Sequence, residues 1–152
     1  MFNHESPRRG ENFVTKKITK SVAEIVAGKR SMLELGNLDA RRDWGYAPEY
    51  VEAMWRILQQ ENPDDFVIAT GKTYSVLNFV ETAFSLVGIQ DWQKYVKINK
   101  HFYRPNEVDE LIGDASKAKS VLGWEPKVQF NDLIKIMLKA DLADLGVTME
   151  IK

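Results

Sequence analysis

The 152-residue sequence contains no cysteine, which excludes disulfides, thiolate catalysis and cysteine-ligated zinc or iron–sulfur centres. Only two histidines occur, His4 and His101, too few donors for a multi-histidine metal centre. Neither a Gly-x-Gly-x-x-Gly turn nor a Walker-type phosphate loop is present. None of Tyr46, Tyr50, Tyr74, Tyr95 or Tyr103 is followed four residues later by a lysine, so no tyrosine–lysine pair at that spacing can pass a proton. Charge of neither sign predominates: 21 Lys and Arg against 22 Asp and Glu leave a net charge of -1, with no general pull toward nucleic acid or acidic membranes. Apolar runs fall far short of the roughly 20 residues that span a bilayer, so no membrane partner is expected. The opening residues, Met1 to Arg9, carry no apolar core of signal-peptide length, and the cytoplasm is the expected location.

What is there is a globular composition, 44% apolar and 28% charged, at a length suited to a single domain over residues 1–152. The spacing of Val14, Ile18, Val22 and Ile25 predicts a helix over about Asn12 to Ala27 with Gly28 as its stop. Met32 to Leu35 reads as a short strand before the Gly36-Asn37 turn. Pro48 suits the first turn of a second helix, with Val51, Met54, Trp55 and Leu58 as its apolar face. Phe66 to Ala69 is a short apolar run, expected to be a strand covered on both faces. Ser75 is placed to cap a helix burying Val76, Phe79, Val80, Ala83, Phe84 and Val87, stopped by Gly88. Tyr95 to Ile98 suggests another strand, and Asp114 the cap of a short helix ending near Leu122-Gly123. A last helix over about Asn131 to Leu145 presents Leu133, Ile134, Met137, Leu138, Leu142 and Leu145. Helices and strands interleave, and the class is α/β.

Three loop-rich stretches hold most of the arginines that stand beside aromatic or amide side chains, where binding residues concentrate. Asn3-His4-Glu5-Ser6-Pro7-Arg8-Arg9-Gly10 leads into a helix, and two forked donors beside a helix N-terminus suit a diphosphate. Asp39-Ala40-Arg41-Arg42-Asp43-Trp44 sets an arginine beside an apolar wall, able to stack on a base or sugar while it holds phosphate. In Tyr103-Arg104-Pro105-Asn106-Glu107, the proline restrains Arg104 to an extended backbone, and Arg104 and Glu107 could clamp two ends of a nucleotide. Each stretch also has a structural alternative. The first would be a polar loop with solvated arginines, the second a surface Arg–Asp pair beside a core tryptophan, the third an irregular connector. The neighbouring carboxylates Asp64-Asp65 read as a cap-and-turn pair.

Taken in order, Phe2 to Glu11, Gly36 to Gly45, Val67 to Gly71 and Tyr103 to Asp109 closely resemble the GDP-mannose 4,6-dehydratase family of extended short-chain dehydrogenase/reductases. Lys117-Ala118-Lys119 with Leu122-Gly123-Trp124-Glu125-Pro126-Lys127 adds a fifth string, and the likeness runs from Phe2 to about Leu142. The resemblance implies an α/β fold, the C-terminal substrate-binding portion of such an enzyme, with the Rossmann N-terminal half missing. Residues 1–10 and 48–70 would complete that absent half, and Phe66 to Ala69 would pair within its sheet. The implied reaction oxidises C4 of the mannose by hydride transfer to NADP⁺, eliminates water across C5 and C6, and returns the hydride to C6. By the same resemblance His4 and Arg9 match positions that contact NADP, and Asn3 one near the substrate diphosphate. Lys17, Arg42 and Arg104 with Glu107 match positions that hold the GDP portion, where guanine's N–H edge calls for a carboxylate. The family's Gly-rich turn, Tyr/Lys pair and catalytic Thr and Glu have no counterpart here, so no catalytic residue is assigned and the chain is expected to be inactive alone. The expected partners are GDP-mannose or GDP, the Rossmann half, and further copies in a homo-oligomer. Two alternatives stay open: a non-catalytic nucleotide-binding or interaction module, and the same half of another nucleotide-sugar epimerase or dehydratase.

Overall fold

A computed structural model describes residues 1–103, 106 and 108–151. In chain order the elements are β1 (Asn3–Glu5), α1 (Val14–Val26), β2 (Leu33–Leu35), β3 (Arg41–Arg42), β4 (Trp44–Tyr46), α2 (Ala47–Leu58), β5 (Tyr74–Ser75), α3 (Val76–Leu86), β6 (Val96–Ile98), α4 (Ser116–Leu122) and α5 (Phe130–Asp144). Single 3₁₀ turns at Trp92–Lys94 and Lys100–Phe102 flank β6.

The main core is helical. α1, α3 and α5 pack on one another through Ile18, Val22, Phe79, Val80, Phe84, Leu133, Ile134, Met137 and Leu138, all 0–1% exposed. The helix boundaries follow the predicted signals. Gly28 and Gly88 adopt φ of 69° and 80°, the left-handed conformation that ends α1 and α3 at little steric cost. Ser75 and Asn78 exchange side-chain and backbone hydrogen bonds in a reciprocal cap, an arrangement worth about 1 kcal/mol. Trp44 enters this core from β4, edge-on to Phe79 and stacked on Phe130. A second, smaller core joins α2 and α4 through Tyr50, Ala53, Ile68, Ala118, Leu122 and Trp124.

The strands are short and form three pairs rather than one sheet: β1 with β4 and β2 with β6, both parallel, and β3 with β5, antiparallel. The β1–β4 register sets Asn3, His4 and Glu5 opposite Trp44, Gly45 and Tyr46, which brings two of the loop-rich stretches side by side.

Two expectations are corrected. Phe66 to Ala69 is extended but in no ladder; Ile68 accepts one bond, from Phe2 N–H at 2.9 Å, and no neighbouring strand among the described residues continues the pairing. Ile68 and Ala69, adjacent and so on opposite faces, are fully buried while Val67 is 42% exposed, so the segment is covered on both faces only at its C-terminal end. In α2, the face turned inward is Tyr50 and Ala53, with Val51 at 59%, Met54 at 41%, Trp55 at 62% and Leu58 at 80% exposure. The helix carries apolar residues on two sides, and Trp124 and α4 cover only one of them. Asp114 accepts the Ser116 N–H at 2.9 Å, one residue outside the cap position of α4.

Candidate functional site

A cavity of about 780 Å³ opens where β1, the first turns of α1, the turn after β2, the β3–β4 strand and the segment after β6 converge. Asn3, Arg9, Lys17 and Arg42 all line it, although 39 residues separate the first from the last in sequence. His4 does not. Its Nδ1 donates to the Phe2 carbonyl at 3.0 Å, and its ring lies against Tyr50 with centroids 5.4 Å apart. Arg104 and Glu107 lie outside the described residues, although Asn106 and Val108 beside them line the cavity.

The cations lining the cavity are not equivalent. Lys20 is paired with Glu11 and Arg30 with Glu24, both at 2.5 Å and on the exposed rim. Arg42 is pinned by backbone, its Nη1 donating to the carbonyls of Arg41 and Val108 at 2.7 Å each. That second bond ties β3 to the segment that follows the third loop-rich stretch. Arg41, by contrast, turns away to Glu110 and the Thr73 carbonyl.

Arg9 and Lys17 are each laid over an aromatic ring. The Arg9 guanidinium sits 3.4 Å from the Phe13 centroid and the Lys17 ammonium 3.6 Å from that of Phe102. Such contacts hold a cation in place without neutralising it, so its charge remains available to an anion. Lys17 forms no carboxylate bond among the described residues, and burial moves its pKa below the ordinary lysine value, with Glu34 acting in the opposite direction. Arg9 lies in the non-helical run before α1, where the Phe13 ring meets it, and Lys17 stands on the first turn of α1.

Side chains not expected at the site complete it. Glu5, 2% exposed, accepts the Thr15 hydroxyl at 2.5 Å and lies 3.1 Å from Arg9 Nε as an ion pair. Burial raises the Glu5 pKa, against the opposing pull of Thr15, Arg9 and His4. Asp43, fully buried, accepts Thr70 N–H at 2.8 Å and its hydroxyl at 2.7 Å through Oδ1, and the N–H groups of Gly71 and Gly113 at 2.9 and 3.3 Å through Oδ2. It fastens both chain segments that frame the Arg42 strand, and its neighbour Trp44 is a core residue whose edge reaches the cavity. Lys16 holds the loop before α1 down, pairing with the buried Asp141 and donating to the Pro7 carbonyl at 2.8 Å. Gly36 admits Phe102 into the cavity wall: a Cβ there would lie 2.7 Å from the Phe102 carbonyl oxygen.

No cluster of metal-ligating side chains occurs among the described residues, and no described helix is long and apolar enough to cross a membrane. A second cavity of about 680 Å³, lined by Tyr74, Trp124 and Phe130, lies across Trp44. Its lysines are engaged, Lys72 with Gln129 and Lys119 with Glu125.

Two parallel strand pairs beside a helical cluster, with a cation-lined cavity at their junction, form part of an extended short-chain dehydrogenase/reductase fold. The structure of RMD from Pseudomonas aeruginosa complexed with NADPH superimposes with a TM-score of 0.83 at 17% identity, over 93% of this chain and 46% of that one. A dTDP-glucose 4,6-dehydratase from Bacillus anthracis in complex with NAD gives a TM-score of 0.75 at 17% identity, over 94% and 42%. The sequence model of GDP-mannose 4,6 dehydratase matches residues 1–137, and the chain belongs to that family. It is 56% identical over 142 residues to GDP-mannose 4,6 dehydratase 1 of Arabidopsis thaliana and 48% over 158 residues to the Homo sapiens enzyme. Each alignment covers 93% of this chain but 39% and 42% of the relative, so the chain spans about two-fifths of their length.

Proposed function

We propose that this chain is the C-terminal, nucleotide-sugar-binding part of a GDP-mannose 4,6-dehydratase, acting together with a Rossmann half that carries NADP and the catalytic groups. The observation that carries the reading is the single cavity that gathers Asn3, Arg9, Lys17 and Arg42, of which Lys17 has no carboxylate partner among the described residues and is held instead by the Phe102 ring. A diphosphate with its nucleoside fits such a space: the cations meet the phosphate oxygens, and Asn3 can both donate to and accept from the ligand.

In this reading Lys17 and Arg42 hold the GDP moiety, aided by Arg104 and Glu107, while Arg9 faces a phosphate on the cofactor side. The cofactor fits this edge because the terminal nitrogens of Arg9 and Nε2 of His4 make no hydrogen bond among the described residues. When bound, NADP supplies the hydride acceptor and returns the hydride. The residues of this chain bind, orient and screen the sugar nucleotide, and none of them serves as the proton-transfer group. Residues 1–10 and 48–70 belong with the Rossmann half, and the uncovered side of α2 is the surface that would meet it. The whole enzyme would be a cytoplasmic homo-oligomer.

Calorimetric titration with GDP tests the reading. The wild-type chain should bind GDP in preference to UDP and dTDP, and Lys17→Met should weaken GDP binding by about tenfold, the loss of one charge-assisted contact. Equal affinity of the two proteins would remove Lys17 from the site. Absence of GDP binding by the wild-type chain would overturn the cavity assignment.

A further inference from the structure

Glu5 occupies a position that an anion-binding cavity would be expected to avoid. It is a carboxylate on the cavity wall, 2% exposed, and its burial is unfavourable unless it does something there. Its contacts show what it does. Oε2 accepts the Thr15 hydroxyl at 2.5 Å, which fixes the carboxylate on α1, and the same oxygen lies 3.1 Å from Arg9 Nε. Arg9 is held from a second direction by the Phe13 ring, 3.4 Å beneath its guanidinium. The buried Nε end of the guanidinium therefore faces Glu5 as an ion pair without a hydrogen bond, and the terminal nitrogens, also without a hydrogen bond among the described residues, are left to the cavity.

We propose that Glu5 is a positioning residue: with Thr15 and Phe13 it holds Arg9 so that the forked end of the guanidinium is preset for a phosphate group in the cavity. This rests on the reading of the cavity as a phosphate site. The benefit of a preset fork is that less side-chain freedom is lost when the anion arrives. Glu5 also repels the anion, so positioning and simple electrostatics predict opposite signs for its removal.

The test is titration of the chain with inorganic pyrophosphate, comparing wild type, Glu5→Gln, Arg9→Met and the double variant. Positioning predicts that Glu5→Gln weakens pyrophosphate binding by about five- to tenfold although it removes a negative charge, and changes nothing once Arg9 is methionine. Tighter or unchanged binding by Glu5→Gln overturns the proposal, as does an equal loss in the Arg9→Met background. Arg9→Lys keeps the charge but has one ammonium to divide between Glu5 and the anion; it should bind no better than Arg9→Met, and wild-type affinity would also overturn the proposal. If the wild-type chain binds neither GDP nor pyrophosphate, the reading of the cavity fails, and the Arg9 Nε NMR order parameter, which needs no ligand, decides the role of Glu5. It should be high in wild type and fall in Glu5→Gln; equal values overturn the inference.

Discussion

Asp43→Asn removes one charge and no volume, at a fully buried carboxylate that accepts four hydrogen bonds. Oδ1 takes the N–H and hydroxyl of Thr70, and Oδ2 the N–H groups of Gly71 and Gly113. An asparagine can place its carbonyl oxygen on one of these pairs only. With that oxygen toward Thr70, the amide NH₂ faces the N–H groups of Gly71 and Gly113, donor against donor. Two charge-assisted bonds are lost, and the buried Gly113 N–H and the partly buried Gly71 N–H are left without acceptors. At about 1–3 kcal/mol for each unsatisfied group, reduced by the long 3.3 Å bond to Gly113, the cost comes to about 2–4 kcal/mol. The reversed amide, with its carbonyl toward the glycines, spares them, and the Thr70 hydroxyl can then turn to the Lys72 carbonyl, 3.2 Å away, but the Thr70 N–H is orphaned. The cost of that arrangement stays at the lower end of the range. Urea denaturation of wild type and Asp43→Asn, with equal m-values, measures it. A difference below about 0.5 kcal/mol, the scatter of neutral surface changes, would show that Asp43 does not fasten these segments and refute the reasoning.

Glu5 should leave a signature in the pH dependence of stability. Burial holds its carboxyl above the ordinary value of 4.5, while Thr15, Arg9 and His4 pull it down and Tyr50 faces it from α2. The folded chain therefore takes up the proton before the unfolded chain does. Its contribution is full below the ordinary value and is lost as pH rises through the raised one, so Glu5→Gln gains stability relative to wild type across that interval. Denaturation midpoints at a series of pH values check this, and a pH-independent difference refutes it. On α2, Trp55→Glu with Leu58→Glu should alter the stability of the chain by under about 0.5 kcal/mol per site, because both side chains are exposed, while preventing association with a co-expressed Rossmann half. Loss of stability with association intact would reverse the assignment of that face.

The helices were the most legible part of the sequence, because α1, α3 and α5 meet one another. Their apolar spacing, the Ser75 cap and the glycine stops at 28 and 88 all describe contacts made inside this chain. The loop-rich stretches pointed to the cavity because Asn3, Arg9, Lys17 and Arg42 are the polar residues that the helical core cannot use. What surrounds those residues was not legible. Glu5 and Asp43 look like solvated carboxylates in sequence, and only the β1–β4 register and the return of residues 70–71 and 113 bury them. Arg41 and Arg42 are adjacent and chemically identical, yet the strand alternation sends one to Glu110 and the other to the cavity.

The two misplaced elements fail for one physical reason. Period analysis assigns an apolar residue to an interior, and it cannot tell an interior made by this chain from one made with another surface. Tyr50 and Ala53 close one side of α2 against Trp124 and α4, and Val51, Met54, Trp55 and Leu58 repeat the helical spacing on the other. Val67, from the extended segment 66–69, adds to the uncovered apolar surface. Full burial of a fully exposed side chain of this kind is worth about 1.5–3 kcal/mol, so with exposures of 41–80% covering four on α2 would release about 4–7 kcal/mol before the cost of association. A helix that needed only one buried side would gain nothing from that second stripe and would carry a liability to aggregate. On the proposed reading the stripe belongs to a parallel sheet whose strands lie in the Rossmann half, and the unpaired edge at residues 66–69 is where that sheet would continue.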